Sequence, residues 1–273
     1  MMNKNQKRNN KNNVKKLALL GLIGTLTVGS IGAMSYFTDR QSMRNDFTTG
    51  VLDLEESETY WDTSKAGPDG QVDGHNTYPG YTRLKNPSIQ NVSGIEDNDA
   101  WVKATVTFID AKTGKQITDQ RRNELIYQTL RYDAGNVLVE NTATAGGYTE
   151  EQLDKYPNIN PAFKDMTATK GSTTGGKYVY YLKDTLKSAK TAAGGEKVTL
   201  FTTIAYPTDW SQTELDIMGD YYIEIVFSGI QSWTFPNVDT AMDSLDAEDA
   251  AGTLHENYVR VTPGNKDATP NEN

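Results

Sequence analysis

The chain has 273 residues with 36% apolar and 10% aromatic side chains, 23 glycines and no cysteine. That is enough for one sizeable core with generous polar connections, and it excludes disulfides, thiolate metal sites and cysteine nucleophiles. The net charge of −9 is unevenly spread: residues 1–35 hold six lysines and arginines and no acid, leaving 21 basic against 36 acidic residues downstream. A body that acidic repels nucleic acid, whose binding needs cations on phosphates.

In chain order, residues 1–16 are basic and Asn-rich, and Leu17–Ala33 is uncharged and apolar but interrupted by Gly21, Gly24, Gly29 and Gly32. This is the layout of a secretory signal, too short and too glycine-rich for a strong membrane span. Small residues at Ala33 and Ser35 predict cleavage between Ser35 and Tyr36. Phe47–Leu54 follows as a candidate strand with Gly50 as a possible bulge. Residues 66–76 read as a loop. Ala100–Asp110 alternates strictly: Ala100, Val102, Ala104, Val106 and Phe108 share one face, with Lys103, Thr105 and Thr107 on the other. Asp119–Leu130 has helical composition, with Leu125, Ile126 and Leu130 as a buried stripe.

Asn136–Glu140 is rich in β-branched residues and reads as a short strand, residues 142–147 as a loop. Thr149–Gln152 and Ser211–Glu214 are capping-box sequences that open short helices. Residues 171–177 read as a loop. Tyr178–Leu182, Val198–Ile204 and Tyr221–Phe227 repeat the strand pattern. Asp239–Ala250 is an acidic helix candidate after Pro236, and Thr262–Asn273 reads as a disordered tail.

The junction Gly32-Ala33-Met34-Ser35-Tyr36-Phe37-Thr38-Asp39, followed by Asn45-Asp46-Phe47-Thr48-Thr49-Gly50-Val51-Leu52-Asp53-Leu54, resembles the start of proteins exported by SipW-type signal peptidases, the TasA/camelysin group. Tyr78-Pro79-Gly80, Asn91-Val92-Ser93-Gly94 and Asp99-Ala100-Trp101-Val102-Lys103 continue the likeness, and Leu200-Phe201, Ile204, Pro207 and Ile223–Gln231 resume it. The resemblance covers residues 17–108 and 178–235. It implies an all-β, jelly-roll-like β-sandwich with short helical insertions, export to the extracellular matrix or cell surface of a Gram-positive cell, and, in the TasA branch, assembly into biofilm-matrix fibres. The implied partners are further copies of the chain, the signal peptidase and other matrix proteins.

Within that frame the chain divides into a signal peptide at 1–35, an N-terminal arm or first strand at 36–54, and a sandwich at 55–238 with an insertion at about 110–176. An acidic C-terminal segment at 239–273 completes it. Phe37, Phe47, Val51, Leu52 and Leu54 are the candidate assembly residues. Once the signal is removed, the arm either folds back as the first strand of its own sheet or completes the sheet of a neighbour.

The camelysin branch is classed with metalloproteases, but a zincin needs two histidines at i and i+4 with a glutamate between them. The two histidines, His75 and His255, are 180 positions apart, so no catalytic or metal-binding residue and no cofactor is expected. Asp69–Gly74 supplies oxygen ligands that could hold calcium weakly, but it lacks the spacing and terminal Glu of an EF-hand loop, and an ordinary turn is the favoured reading. No nucleophile elbow, phosphate loop or dinucleotide glycine pattern occurs. An exported structural protein is the leading expectation. A camelysin-like surface metalloprotease, and an adhesin or accessory module binding through residues 110–176, are the alternatives.

Overall fold

The computed structural model describes residues 38–39, 52, 54–60, 74, 77–94, 98–141, 146–172 and 175–251. They belong to the second of two compact units, Phe37–Asn273. The expected export signal and cleavage junction at Ser35–Tyr36, together with Phe37, Phe47, Val51, both histidines and the residues after 251, lie outside the described residues.

The fold is all-β, with few short helices. Among the described residues three antiparallel sheets form, and the largest is ordered β1(Thr38–Asp39), β11(Tyr221–Gln231), β5(Ala100–Asp110), β8(Lys177–Leu182), β7(Phe163–Asp165). A second runs β3(Thr82–Leu84), β10(Thr203–Ala205), β6(Leu130–Arg131), and a third β2(Leu54–Ser57), β4(Ser88–Asn91), β9(Lys197–Thr199). The alternation in β5 does what its sequence demands: Ala100, Val102, Ala104, Val106 and Phe108 are all at most 1% exposed and meet one core shared by all three sheets. That core also takes in Ile89, Leu130, Leu200, Phe201 and Ile204.

Several residues singled out in the sequence have structural duties. Gly80 has φ +90°, a backbone conformation that L side chains rarely adopt, and its N–H donates to the Tyr206 carbonyl. The turn thereby seats Tyr81 edge-on between Tyr78 and Tyr206. Asn91 is buried at a corner, its amide donating to the carbonyls of Asn98 and Leu186. Asp99 accepts from the Ser188 N–H and the Lys187 ammonium.

Two strand expectations are corrected. Val198–Ile204 is not one strand: it breaks at Leu200–Phe201, so that β9 joins one small sheet and β10 another. Both residues at the break are fully buried, and the amides of Leu200 and Thr202 go to the Pro87 and Arg131 carbonyls. Asn136–Glu140 is no strand, because side chains capture its backbone donors: Leu138 N–H donates to the Asp133 carboxylate and Val139 N–H to the Tyr148 hydroxyl.

Two of the helices are seated by the capping boxes expected of them. α1(Gln120–Thr129) is capped by Asp119, whose carboxylate accepts from the Arg122 N–H, and it buries Leu125 and Ile126. α2(Glu150–Leu153) and α4(Gln212–Met218) carry complete capping boxes, and α3(Thr167–Lys170) is a single turn between them. The acidic α5(Val238–Ala251) packs on β5 and β11, burying Val238, Ala241, Met242 and Leu245. The segment 110–176 is woven into the sheets: β6 pairs with β10 and β7 with β8.

Candidate functional site

The long strand β11 carries the feature with the most potential for interaction. Its register on β5 is unbroken from Tyr221↔Asp110 to Gln231↔Ala100. On its other side, β1 pairs only with Ile230 and Gly229. Among the described residues no strand lies against β11 from Tyr221 to Ser228. In an antiparallel ladder successive residues aim their backbone groups at alternate neighbours. Phe227 N–H donates to the Glu56 carboxylate at 3.2 Å, so Phe227, and with it Ile225, Ile223 and Tyr221, faces the open side.

The side chains of the same four residues point to the core face. Ile223 and Ile225 lie opposite Phe108 and Val106 in register, yet they are only partly buried whereas Phe108 and Val106 are fully so. Cover from the small sheets therefore thins between β5 and β11. A shallow cavity of about 100 Å³ opens there, with Ile223, Ile225 and Phe227 on one wall and Glu56, Glu58 and Lys85 on the other. Lys85 is 4% exposed and is neutralised by Glu58 at 2.5 Å.

Of the expected assembly residues, Leu52 and Leu54 are described, and both are buried in this chain's own core, 3% and 2% exposed. Leu54 opens β2, which pairs with β4 in the register Leu54↔Asn91. Their seat is the surface of Gly229, where an added Cβ would overlap Leu54 Cδ1 and come 3.6 Å from Leu52 Cδ2. Leu52 and Leu54 thus bracket the inner side of β11 at the place where β1 enters its edge.

The opposite face of the large sheet is charged. Lys103, 9% exposed, reaches Asp246 at 2.5 Å, and Lys170 bonds Asp243 at 2.8 Å and Asp246 at 3.2 Å. Burial of Asp246 pushes its pKa up, but the hydrogen bonds and charges of the two lysines outweigh burial and hold it below the ordinary carboxylate value. The Lys170 ammonium is held well above its usual range, first by its hydrogen bond to Asp243. These pairs pin α5 beside a groove of about 520 Å³ floored by Thr105, Thr107, Val179 and Val226.

At the far end of β5, the Arg122 guanidinium bonds Asp110 at 2.6 Å and holds its carboxyl down at about 2. Arg122 also donates to the Met218 and Asp220 carbonyls, tying α1 to the turn before β11.

Among the described residues no group of three or more His, Cys, Asp or Glu is placed to hold a metal ion. Sequence reasoning missed Glu56, Glu58 and Lys85, which carry no motif. The one available signal was Glu56 two positions after Leu54, a charge on the core face of a strand. No family model, curated protein or solved structure matches this chain.

Proposed function

We propose that this chain is an exported structural protein, a jelly-roll-like sandwich that assembles at the cell surface or in the extracellular matrix by adding an N-terminal strand of one copy to the sheet of the next. The observation that carries the proposal is the edge of β11, where β1 pairs with Gly229 and Ile230 and no described strand continues to Tyr221. Backbone N–H and C=O groups that no described strand takes, beside partly covered isoleucines, are what an incoming strand needs, since backbone bonds supply affinity and alternate side chains fill the groove. Addition of this kind is head-to-tail and grows a filament unless it closes into a ring.

The burial of Leu52 and Leu54 in the same chain sets the downstream limit of any donated segment, which must come from residues before Leu52. Residues 36–46 are the proposed donor: Thr38 and Asp39 pair with β11 of their own chain here, and assembly would exchange that pairing for the same one on a neighbouring copy, a reading supported by the resemblance to TasA-type fibre proteins. The partners are copies of the chain and, before assembly, the signal peptidase. No catalytic role is proposed.

The test is electron microscopy and sedimentation of the secreted protein with and without residues 36–46. Filaments from the intact protein and a folded monomer from the truncated one are expected. Filaments at an undiminished rate from the truncated protein would refute the arm as donor.

A further inference from the structure

The face of the large sheet that turns away from the core is only half covered. On it, residues paired in register stand in rows across β8, β5 and β11: Tyr181, Lys103 and Ser228 form one row, Val179, Thr105 and Val226 the next, and Lys177, Thr107 and Glu224 the third. α5 lies over the first row, where Asp246 takes both Lys103 and Lys170. The second and third rows, with Asp249 from the last turn of α5, line the groove of about 520 Å³. Val179 is buried there, while Thr105 and Val226 are only half-buried.

Lysines mark the path of the helix over this face. In chain order Asp239 meets Lys164, Asp243 meets Lys170, and Asp246 meets Lys170 and Lys103. Lys177, in the third row, has no ion-pair partner among the described residues. α5 ends at Ala251, two residues after Asp249, and the sequence continues Gly252-Thr253-Leu254-His255-Glu256-Asn257-Tyr258. Gly252 is a poor helix residue. In an extended segment Leu254 and Glu256 share one face about 7 Å apart, the spacing of Thr105 and Thr107 on the strand below.

We propose that residues 252–258 are a strap seated in this groove, with Leu254 on the row of Val179, Thr105 and Val226 and Glu256 at Lys177. The occupant is this chain's own segment because α5 delivers it at the mouth of the groove, and because the unpaired lysine one row further on is matched by an acid two residues beyond the leucine. Apolar contact of Leu254 with the two valines supplies the affinity, and the pair of Glu256 with Lys177 sets the register. The strap extends the cover that α5 begins and closes the groove to other ligands. It lies on the opposite face from the small sheets and does not depend on the strand addition proposed for the edge of β11.

The chain has no cysteine, so Thr105→Cys places a single thiol in the groove, and its rate of alkylation by a small maleimide reads the cover. Urea unfolding and circular dichroism serve as fold controls. Alkylation in the full chain is expected to be about tenfold slower than in a chain ending at Ala251, the lower end of what burying a leucine side chain supplies. Leu254→Asp in the full chain should give the fast rate, so the test survives if truncation loosens α5. Lys177→Glu should speed alkylation about threefold, and Glu256→Lys added to it should restore the slow rate.

Equal rates with and without residues 252–273, or no effect of Leu254→Asp, would overturn the strap. Protection indifferent to Lys177→Glu would overturn the placement of Glu256. Protection that rises with protein concentration would put a second copy in the groove and overturn the strap as its occupant.

Discussion

The packing of β2 against β11 can be tested by a compensating pair of substitutions at Gly229 and Leu54. A Cβ at position 229 overlaps Leu54 Cδ1 and lies 3.4 Å from the Trp101 carbonyl oxygen. The overlapped atom is the tip of a leucine, but that leucine is 2% exposed and has little room to move. Gly229→Ala is therefore expected to cost about 1–2 kcal/mol, overpacking offset in part by the stiffer unfolded chain. Leu54→Ala alone removes a fully buried leucine and is expected to cost about 2–5 kcal/mol.

Together they should cost at least about 1 kcal/mol less than their sum, because the new methyl group occupies space that the leucine vacates. Urea unfolding of the four proteins of the cycle reads this coupling directly. Additive losses would show that Leu54 does not sit on Gly229 of its own chain, and would reopen the assignment of the 52–54 segment to the monomer core.

Three further outcomes follow from the charged and phenolic groups. Asp246→Ala should cost about 2–3 kcal/mol, less than for a fully buried pair because Asp246 is 36% exposed against 11% for the Lys103 side chain. Lys103→Met with Asp246→Ala should recover most of that loss in urea unfolding. Asp110 is held at about 2 by Arg122 and Thr113, so its contribution to stability is complete above the ordinary carboxylate range and is lost as pH falls through about 2. Asp110→Asn should flatten the acid limb of a plot of urea midpoint against pH. Tyr178 and Tyr181 are pushed up to about 12, first by burial and then by neighbouring Tyr127 and Asp246 respectively. The fold favours their neutral form, so stability present below pH of about 10 should decline as pH rises towards 12, with phenolate absorbance appearing together with unfolding.

Periodicity made β5 and the Tyr221–Phe227 part of β11 legible in the sequence, because apolar residues recur there at every second position from Ala100 to Phe108 and from Tyr221 to Phe227. The capping boxes of α2 and α4 were legible for a different reason: both partners lie within three residues of each other. What the sequence hid depends on contacts made across long separations. Asn136–Glu140 has strand composition, but Asp133 and Tyr148 claim its amides. Val198–Ile204 alternates well enough for one strand, yet the chain changes sheets where Leu200 and Phe201 both find core.

The candidate site was legible only in its apolar half. Ile223, Ile225 and Phe227 stand out as one face of a strand, but nothing local marks that strand as an edge. Glu56 is one of the two acids in the run Leu54–Ser57, and its bond to the Phe227 N–H exists only once the tertiary fold brings residues 171 positions apart together.

Hydrogen exchange read residue by residue along β11, before and after assembly of the mature protein, tests the open edge most directly. The amides of Tyr221, Ile223 and Ile225 should exchange quickly in the monomer, while those of Tyr222, Glu224 and Val226, which face β5, are protected. On assembly the first set should become protected and the second should change little. Protection of Ile223 and Ile225 already complete in the monomer, or unchanged by assembly, would contradict an edge that waits for a strand.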